Sequence, residues 1–240
     1  MDADVYIIQE CADPDKSKYK EYREFSKGCR FWTGDKKGVG IFAKNGRTLT
    51  NNAWDSKGLK YYISCNLDNK LNILGIWINN KGKQKYADCL LKYLTNHDLE
   101  LDCTYIIVGD LNLDKNRGQS EKTQEIYKFL EERKFVSVYH YAFPYESYGK
   151  EHQKTFYQSP RGKTNPYTGN NPVSHVDYIF TRKERIECFK IEAKEKWIYK
   201  NYVCKDGEWV KDSEDEDDGR SDHIPLVAHL KYFEQKNNSE

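Results

Sequence analysis

The segment TYIIVGDLN begins at Thr104 with aromatic and β-branched residues and then presents Asp110 and Asn112, two positions apart. Three other apolar segments also carry polar residues at or near an end. VYIIQE reaches Glu10, HVDYIF carries His175 and Asp177, and IPLVAH is preceded by Asp222 and His223. Residues two apart on a strand share a face and lie about 6–7 Å apart along the chain, so Asp110 with Asn112, and His175 with Asp177, can each address one small volume. Converging carboxylates repel unless a cation or a proton intervenes. Hard oxygen donors without thiolate suit Mg²⁺, which takes one or two carboxylates and completes its shell with substrate oxygens. An imidazole with a carboxylate behind it has its tautomer fixed and its basicity raised. Together, metal-holding carboxylates, a base, an amide donor and an oriented His suit attack of water on a phosphate ester.

The elements that must position these groups are read from periodicity. ADVYIIQE, GVGIFAK, KYYISCNL and LNILGIWIN are short and rich in β-branched or aromatic residues, and Gly, Asn and Lys turns divide them. That pattern predicts neighbouring strands, partly antiparallel. From Gln84 to Asp98, Tyr86, Leu90, Tyr93, Leu94 and His97 recur at three- and four-residue spacing, which predicts an amphipathic helix leading into the TYIIVG strand. A second helix is expected from Ser120, a good N-cap, to Lys134, and a short one within KSKYKEYREFSK. Strands are expected at HVDYIFT, RIECFKIEAKEKW and IPLVAHLKYF. Neither an internal repeat nor a linker divides the sequence, so residues 1–240 are expected to form one α/β domain, long enough to bury a substantial core.

Composition narrows the partners. Thirty-nine basic residues balance 38 acidic ones for a net charge of +1, so the bulk basic excess that drives nonspecific binding to nucleic acid is missing. A polyanion must be held by a local patch. Seven cysteines without a C-x-x-C spacing point away from a disulfide framework or a zinc site and towards reduced thiols in the cytoplasm. The N-terminus shows no basic region followed by an apolar run, so no signal peptide is expected. No apolar run approaches membrane-spanning length, so no membrane partner is expected. The acidic segment from Lys211 to Asp222 reads mainly as a solvated loop, with attraction of a cation beside the site as its functional reading.

In their order and spacing, IIQE, GVGIFAK, IIVGDLN, HVDYIF and SDHIPL resemble the endonuclease/exonuclease/phosphatase, or DNase I-like, superfamily over nearly the whole chain. FWTGDKKGVGIFAK, LGIWINN and HQKTFYQ resemble a mostly uncharacterised bacterial branch of it. The resemblance implies a four-layer α/β sandwich of two mixed sheets with helices outside and a site at one edge. It also implies that the usual first strand, with its Trp-Asn-like pair, is missing here ahead of ADVYIIQE. By the same resemblance Glu10 is the principal metal ligand, and Asp222 binds the metal directly or through water. Asp110 orients and deprotonates the attacking water, and Asn112 holds that water or a phosphate oxygen. Asp177 accepts a hydrogen bond from His223, which stabilises charge developing on phosphorus. Asp177 lies between Val176 and Tyr178, where an unpaired charge is costly, so a partner such as His223 is required on physical grounds as well.

Four residues are assigned to substrate. Trp77 stands at a place that resembles one carrying a second His in the DNase-like branch and a Tyr in the abasic-site branch. Its indole offers one N–H and a stacking face for a base, and Asn79 or Asn80 is the candidate for the missing donor. His175 is either a phosphate contact or a neighbour of the site; His140 reads mainly as structural. The expected activity is that of a monomeric, cytoplasmic, Mg²⁺- or Mn²⁺-dependent phosphoesterase, foremost a nuclease. Its substrate is expected to be short or single-stranded nucleic acid, gripped by the loops at Lys16 to Lys27 and Gln158 to Asn171. The alternatives are a phosphatase acting on a small or lipid phosphate, and a silent binding protein on the same scaffold.

Overall fold

The structure is a computed structural model and describes residues 2–56, 60–78, 86–113, 120–157, 173–193, 197, 202–206, 208–211 and 222–232. In chain order it begins with β1 (Val5–Cys11), α1 (Lys20–Phe25), β2 (Arg30–Gly34), β3 (Gly38–Ala43) and β4 (Leu49–Asn51). Then come β5 (Tyr62–Leu67), β6 (Leu71–Trp77), α2 (Tyr86–Asn96), β7 (Tyr105–Asp110) and α3 (Ser120–Glu132). Next are β8 (Val136–Ser137), α4 (Val138–Ala142), β9 (Phe156–Tyr157), β10 (Val173–Ser174) and β11 (Asp177–Thr181). The last are β12 (Ile186–Ile191), β13 (Tyr202–Lys205), β14 (Glu208–Lys211) and β15 (Leu226–Leu230).

The largest sheet has six strands in the order β4-β5-β6-β7-β11-β8. Its parallel pair is β6 with β7, joined through α2, as a parallel pair requires a crossover. Its other pairings are antiparallel. A three-stranded sheet, β1-β3-β2, is antiparallel throughout, and so are the two-stranded β12-β15 and β9-β10. Mixed α/β architecture is therefore present, but among the described residues only one of the sheets is mixed.

Strand alternation explains the two cores. Leu74 and Ile76 of β6, with Ile107 of β7, face one way and pack with Leu90, Tyr93 and Leu94 of α2 and Ile126 and Leu130 of α3. Ile73 and Trp77 of β6, with Ile106 of β7, face the other way, against Val39, Ile41 and Ala43 of β3. Each large apolar side chain buried this way contributes about 1.5–3 kcal/mol. On the far side of β3, Phe42 meets Phe25 and Tyr22 of α1, with ring centroids 5.5 and 6.1 Å apart. Among the described residues no helix is long and apolar enough to cross a membrane.

The expected helices are found two residues shorter at the C-terminal end, as α2 and α3; residues 79–85, which include Asn79 and Asn80, lie outside the described residues. So do the 158–172 loop and most of the acidic segment. After Ser137 the VSVYHY stretch turns into α4, and the Ser137 hydroxyl accepts the His140 backbone N–H.

β7 ends in a position that only glycine tolerates. Gly109 has φ +146°, and a Cβ there would lie 1.9 Å from the carbonyl oxygen of Ile76 and 3.1 Å from Gln9 Nε2. The close approach of β7 to β6 just before Asp110 thus depends on a missing side chain. Gly109→Ala is expected to cost roughly 3 kcal/mol from strain and overpacking, read as a lowered Tm. An unchanged Tm would show that β7 can re-seat itself.

Candidate active site

β7 and β11 pair antiparallel with Asp110 opposite Asp177. Like charges directly opposed on a sheet destabilise it, so something must hold them. His223 does so from the third side. Its Nδ1 donates to Asp177 Oδ2 at 2.8 Å, and it also feels the charges of Asp110 and Asp222. Asn112, at φ 49° just past the end of β7, turns back onto Asp110. Its backbone N–H donates to Oδ1 at 3.0 Å, and its Nδ2 donates to Oδ2 at 2.8 Å and to the Ile78 carbonyl at 2.9 Å.

Glu10 sits in a bulge of β1, where the register against β3 shifts between Gln9 and Cys11, and its φ is 54°. Gln9 reaches towards Gly109 on the inner face, whereas Cys11 lies on the outer face near Gly40. Glu10 is the extra residue between them. Lys37 Nζ, from the turn between β2 and β3, lies 2.8 Å from its Oε2.

These groups form one electrostatic unit. Burial and the charge of Asp177 push Asp110, only 3% exposed, well above the usual carboxylate range; His223 and the Asn112 N–H oppose the shift and Glu10 adds to it. Burial raises Asp222 too; His223 and Lys37 oppose the rise, and Glu10 adds to it. Burial disfavours a charged His223, but Asp177, through charge and hydrogen bond, followed by Asp110 and Asp222, lifts it to about 10. At neutral pH the ring is an imidazolium.

Among the described residues no three His, Cys, Asp or Glu side chains form a ready metal cage. The donor set still fits a hard divalent cation. Glu10 and Asp222 supply the one or two carboxylates that Mg²⁺ takes from protein, the raised Asp110 and Asp222 mark a local excess of negative charge, and the Lys37 ammonium already stands in as a cation on Glu10.

Residues 1–223 match the endonuclease/exonuclease/phosphatase family. The chain belongs to that family. It is a family of phosphodiesterases and nucleases that typically use divalent metals. No curated protein matches the chain. Several solved structures share its fold. An AP endonuclease from Archaeoglobus fulgidus is 17% identical, with a TM-score of 0.62 over 95% of this chain and 88% of that one. A 3′ phosphatase, NExo, from Neisseria, bound to product DNA hairpin, is 13% identical, with a TM-score of 0.60 over 95% and 89%. D. rerio TDP2 complexed with single-strand DNA product is 16% identical, with a TM-score of 0.53 over 95% and 86%.

Within this family member, the structure gathers Glu10, Asp110, Asn112, Asp177, Asp222 and His223, and places Trp77, His175 and His140 in other surroundings. Trp77 is 4% exposed against Tyr61, ring centroids 4.8 Å apart, inside the sheet-on-sheet core and without a free face for a base. His175 precedes the first residue of β11 and is 3% exposed between Tyr139 and Tyr178. Its Nδ1 donates to the Gln153 carbonyl at 2.9 Å, and burial lowers its pKa. It joins His140, whose Nε2 lies 3.5 Å from Glu151 Oε1. Residue spacing gave no hint of Lys37 or of Thr155, both of which touch this site's machinery.

Glu151 anchors that second cluster. It is 2% exposed, and its Oε1 accepts from Gly149 N–H at 3.1 Å and Tyr178 O–H at 3.0 Å. Burial works to raise its pKa, but His140, backbone N–H donors and the charge of His175 bring it down to about 2. A depressed acid contributes stability above its unfolded value, and that contribution is lost as pH falls towards the folded value. Wild type should therefore lose stability between about pH 4.5 and 2. Glu151→Gln should start roughly 1–3 kcal/mol lower and show a flatter acid limb in urea melts. Parallel acid limbs would contradict this.

Proposed function

We propose that the chain is a divalent-metal-dependent phosphodiesterase, acting as a nuclease on short or single-stranded nucleic acid. The observation that carries this reading is the opposed Asp110–Asp177 pair closed by the His223 ring, bonded through Nδ1 to Asp177. Asp110 orients a water and takes its proton. Its raised proton affinity suits that task, and Asn112 fixes its rotamer while leaving further lone pairs on each oxygen. His223 presents Nε2–H to a phosphoryl oxygen and stabilises the charge that develops there. Asp177 holds the ring through Nδ1 and keeps it charged. Glu10 and Asp222 would hold a divalent ion, Mg²⁺ or Mn²⁺, which would supply Lewis acidity and offset phosphate charge.

A phosphomonoesterase is the second reading, favoured by the 3′ phosphatase named among the structural neighbours. The stacking of α1, the three-stranded sheet, the six-stranded sheet and α2 with α3 supports a four-layer sandwich, and the family match across residues 1–223 supports a single domain. We read the protein as a cytoplasmic monomer.

The deciding experiment incubates the protein with plasmid, single-stranded DNA, RNA and a generic phosphatase substrate, in Mg²⁺ and in EDTA, beside Asp110→Asn and His223→Ala. Metal-dependent strand cutting lost in both variants supports the nuclease. Phosphate release alone moves the assignment to the second reading. Equal cutting of long duplex and oligonucleotide removes the substrate preference, and no turnover of any substrate removes the enzyme.

A further inference from the structure

Thr155 is completely buried and bonds to both sides of the charged pair. Its Oγ1 accepts the Val176 N–H at 3.0 Å and the Asp177 N–H at 3.2 Å. Its carbonyl accepts the N–H of Ile224, next after His223, at 2.7 Å, and its own N–H donates to the Ser174 carbonyl at 3.0 Å. Two residues on, the Tyr157 N–H donates to the Asp222 carbonyl at 2.8 Å. Between them Phe156 bridges His223 in a single antiparallel bridge, their rings 5.0 Å apart.

The position explains why a hydroxyl is required. β8 reaches only Phe180 and Thr181 of β11, so the start of that strand has no β8 residue alongside it. Backbone N–H groups buried there need an acceptor, and the Thr155 hydroxyl serves two of them at once. The segment Thr155–Tyr157 thereby stitches residues 222–224 to the beginning of β11. Asp177 and His223 lie far apart in sequence, on a strand and on a loop, and this strap bonds to the backbone of Asp177 and to that of the residues on either side of His223.

We propose that Thr155 is a positioning residue for the Asp177–His223 pair: its hydroxyl and carbonyl fix the 222–224 segment against β11 and so hold the imidazole on the carboxylate. The catalytic consequence rests on the phosphoesterase reading; the geometric one does not. Valine matches the shape of threonine but leaves both N–H groups without an acceptor, whereas serine keeps the bonds.

The test pairs Thr155→Val with Thr155→Ser and reads two quantities. The first is the proton resonance of His223 Nδ1–H, observed without metal or substrate. It should be present in wild type and in Thr155→Ser, and lost or broadened in Thr155→Val. The second is turnover, where a displacement of about 1 Å in a reacting group can cost on the order of 10²-fold. In Thr155→Val kcat should fall by about that factor with KM within roughly twofold, and Thr155→Ser should restore it. Should the valine variant not fold, amide exchange in wild type replaces it: the Asp177 and Ile224 N–H groups must be protected together, and fast exchange of either overturns the proposal. Valine that keeps both resonance and kcat while lowering Tm assigns Thr155 a structural role only, and equal damage from valine and serine rules out the hydroxyl. If wild type turns over no substrate yet the resonance follows the expected pattern, the positioning role stands and the phosphoesterase reading falls.

Discussion

Asp110→Asn should lower turnover by roughly 10²–10⁴-fold, the usual worth of a general base, while barely changing stability. The wild-type carboxylate is an electrostatic burden in the unliganded fold, because burial and the facing Asp177 push it well above its normal range. An acid whose folded pKa is raised destabilises the fold once pH exceeds its unfolded value. Asparagine removes that burden at neutral pH. Against this, its amide group faces the Asn112 Nδ2 donor, so one hydrogen bond is lost at a cost of about 0.5–1.5 kcal/mol. The two effects offset each other, and Tm in EDTA should move by only a few degrees. A collapse in Tm would mean that Asp110 is chiefly a structural group, and retained turnover would remove it from the chemistry.

Asp177→Asn should have the second large effect, also roughly 10²–10⁴-fold in kcat, through a neighbour's charge. Without the carboxylate the largest support that lifts His223 to about 10 is gone and only the charges of Asp110 and Asp222 remain, so the ring drops towards the ordinary imidazole value of about 6.5. The alkaline limb of the rate profile should then move down towards neutrality. Stability follows the same linkage. A group with a raised folded pKa contributes fully below its unfolded value, and the contribution is lost as pH climbs to the folded one. Wild type in EDTA should weaken between about pH 6.5 and 10, and the variant should show a shallower decline from a start about 1.5–3 kcal/mol lower. Superimposable pH profiles for the two proteins would show that Asp177 does not control the ring.

Residue types at segment ends were enough to nominate the acids and the imidazole, because a charge beside β-branched residues has few structural uses. Shared strand faces are only part of what brings these groups together. Asn112 reaches Asp110 through a left-handed turn beyond β7, and strand alternation plays no part. His175 precedes β11 and so does not share a strand face with Asp177. For Trp77 the alternation was legible: it shares parity with Leu71 and Ile73, both core residues, and so belongs inside. The opposition of Asp110 and Asp177 depends on which strands become neighbours, as do the contacts of Thr155 and Lys37. No local pattern encodes that.

The bulge at Glu10 separates two tasks on one short strand. Residues before and after it keep their faces, Gln9 inward and Cys11 outward, while the inserted carboxylate takes a direction that the pleat does not dictate. Substitutions that repack Val5 or Ile7 against the sheet beneath can therefore accumulate without re-aiming the acid, whereas deleting the inserted residue would take the carboxylate away from its neighbours Asp110 and Asp222.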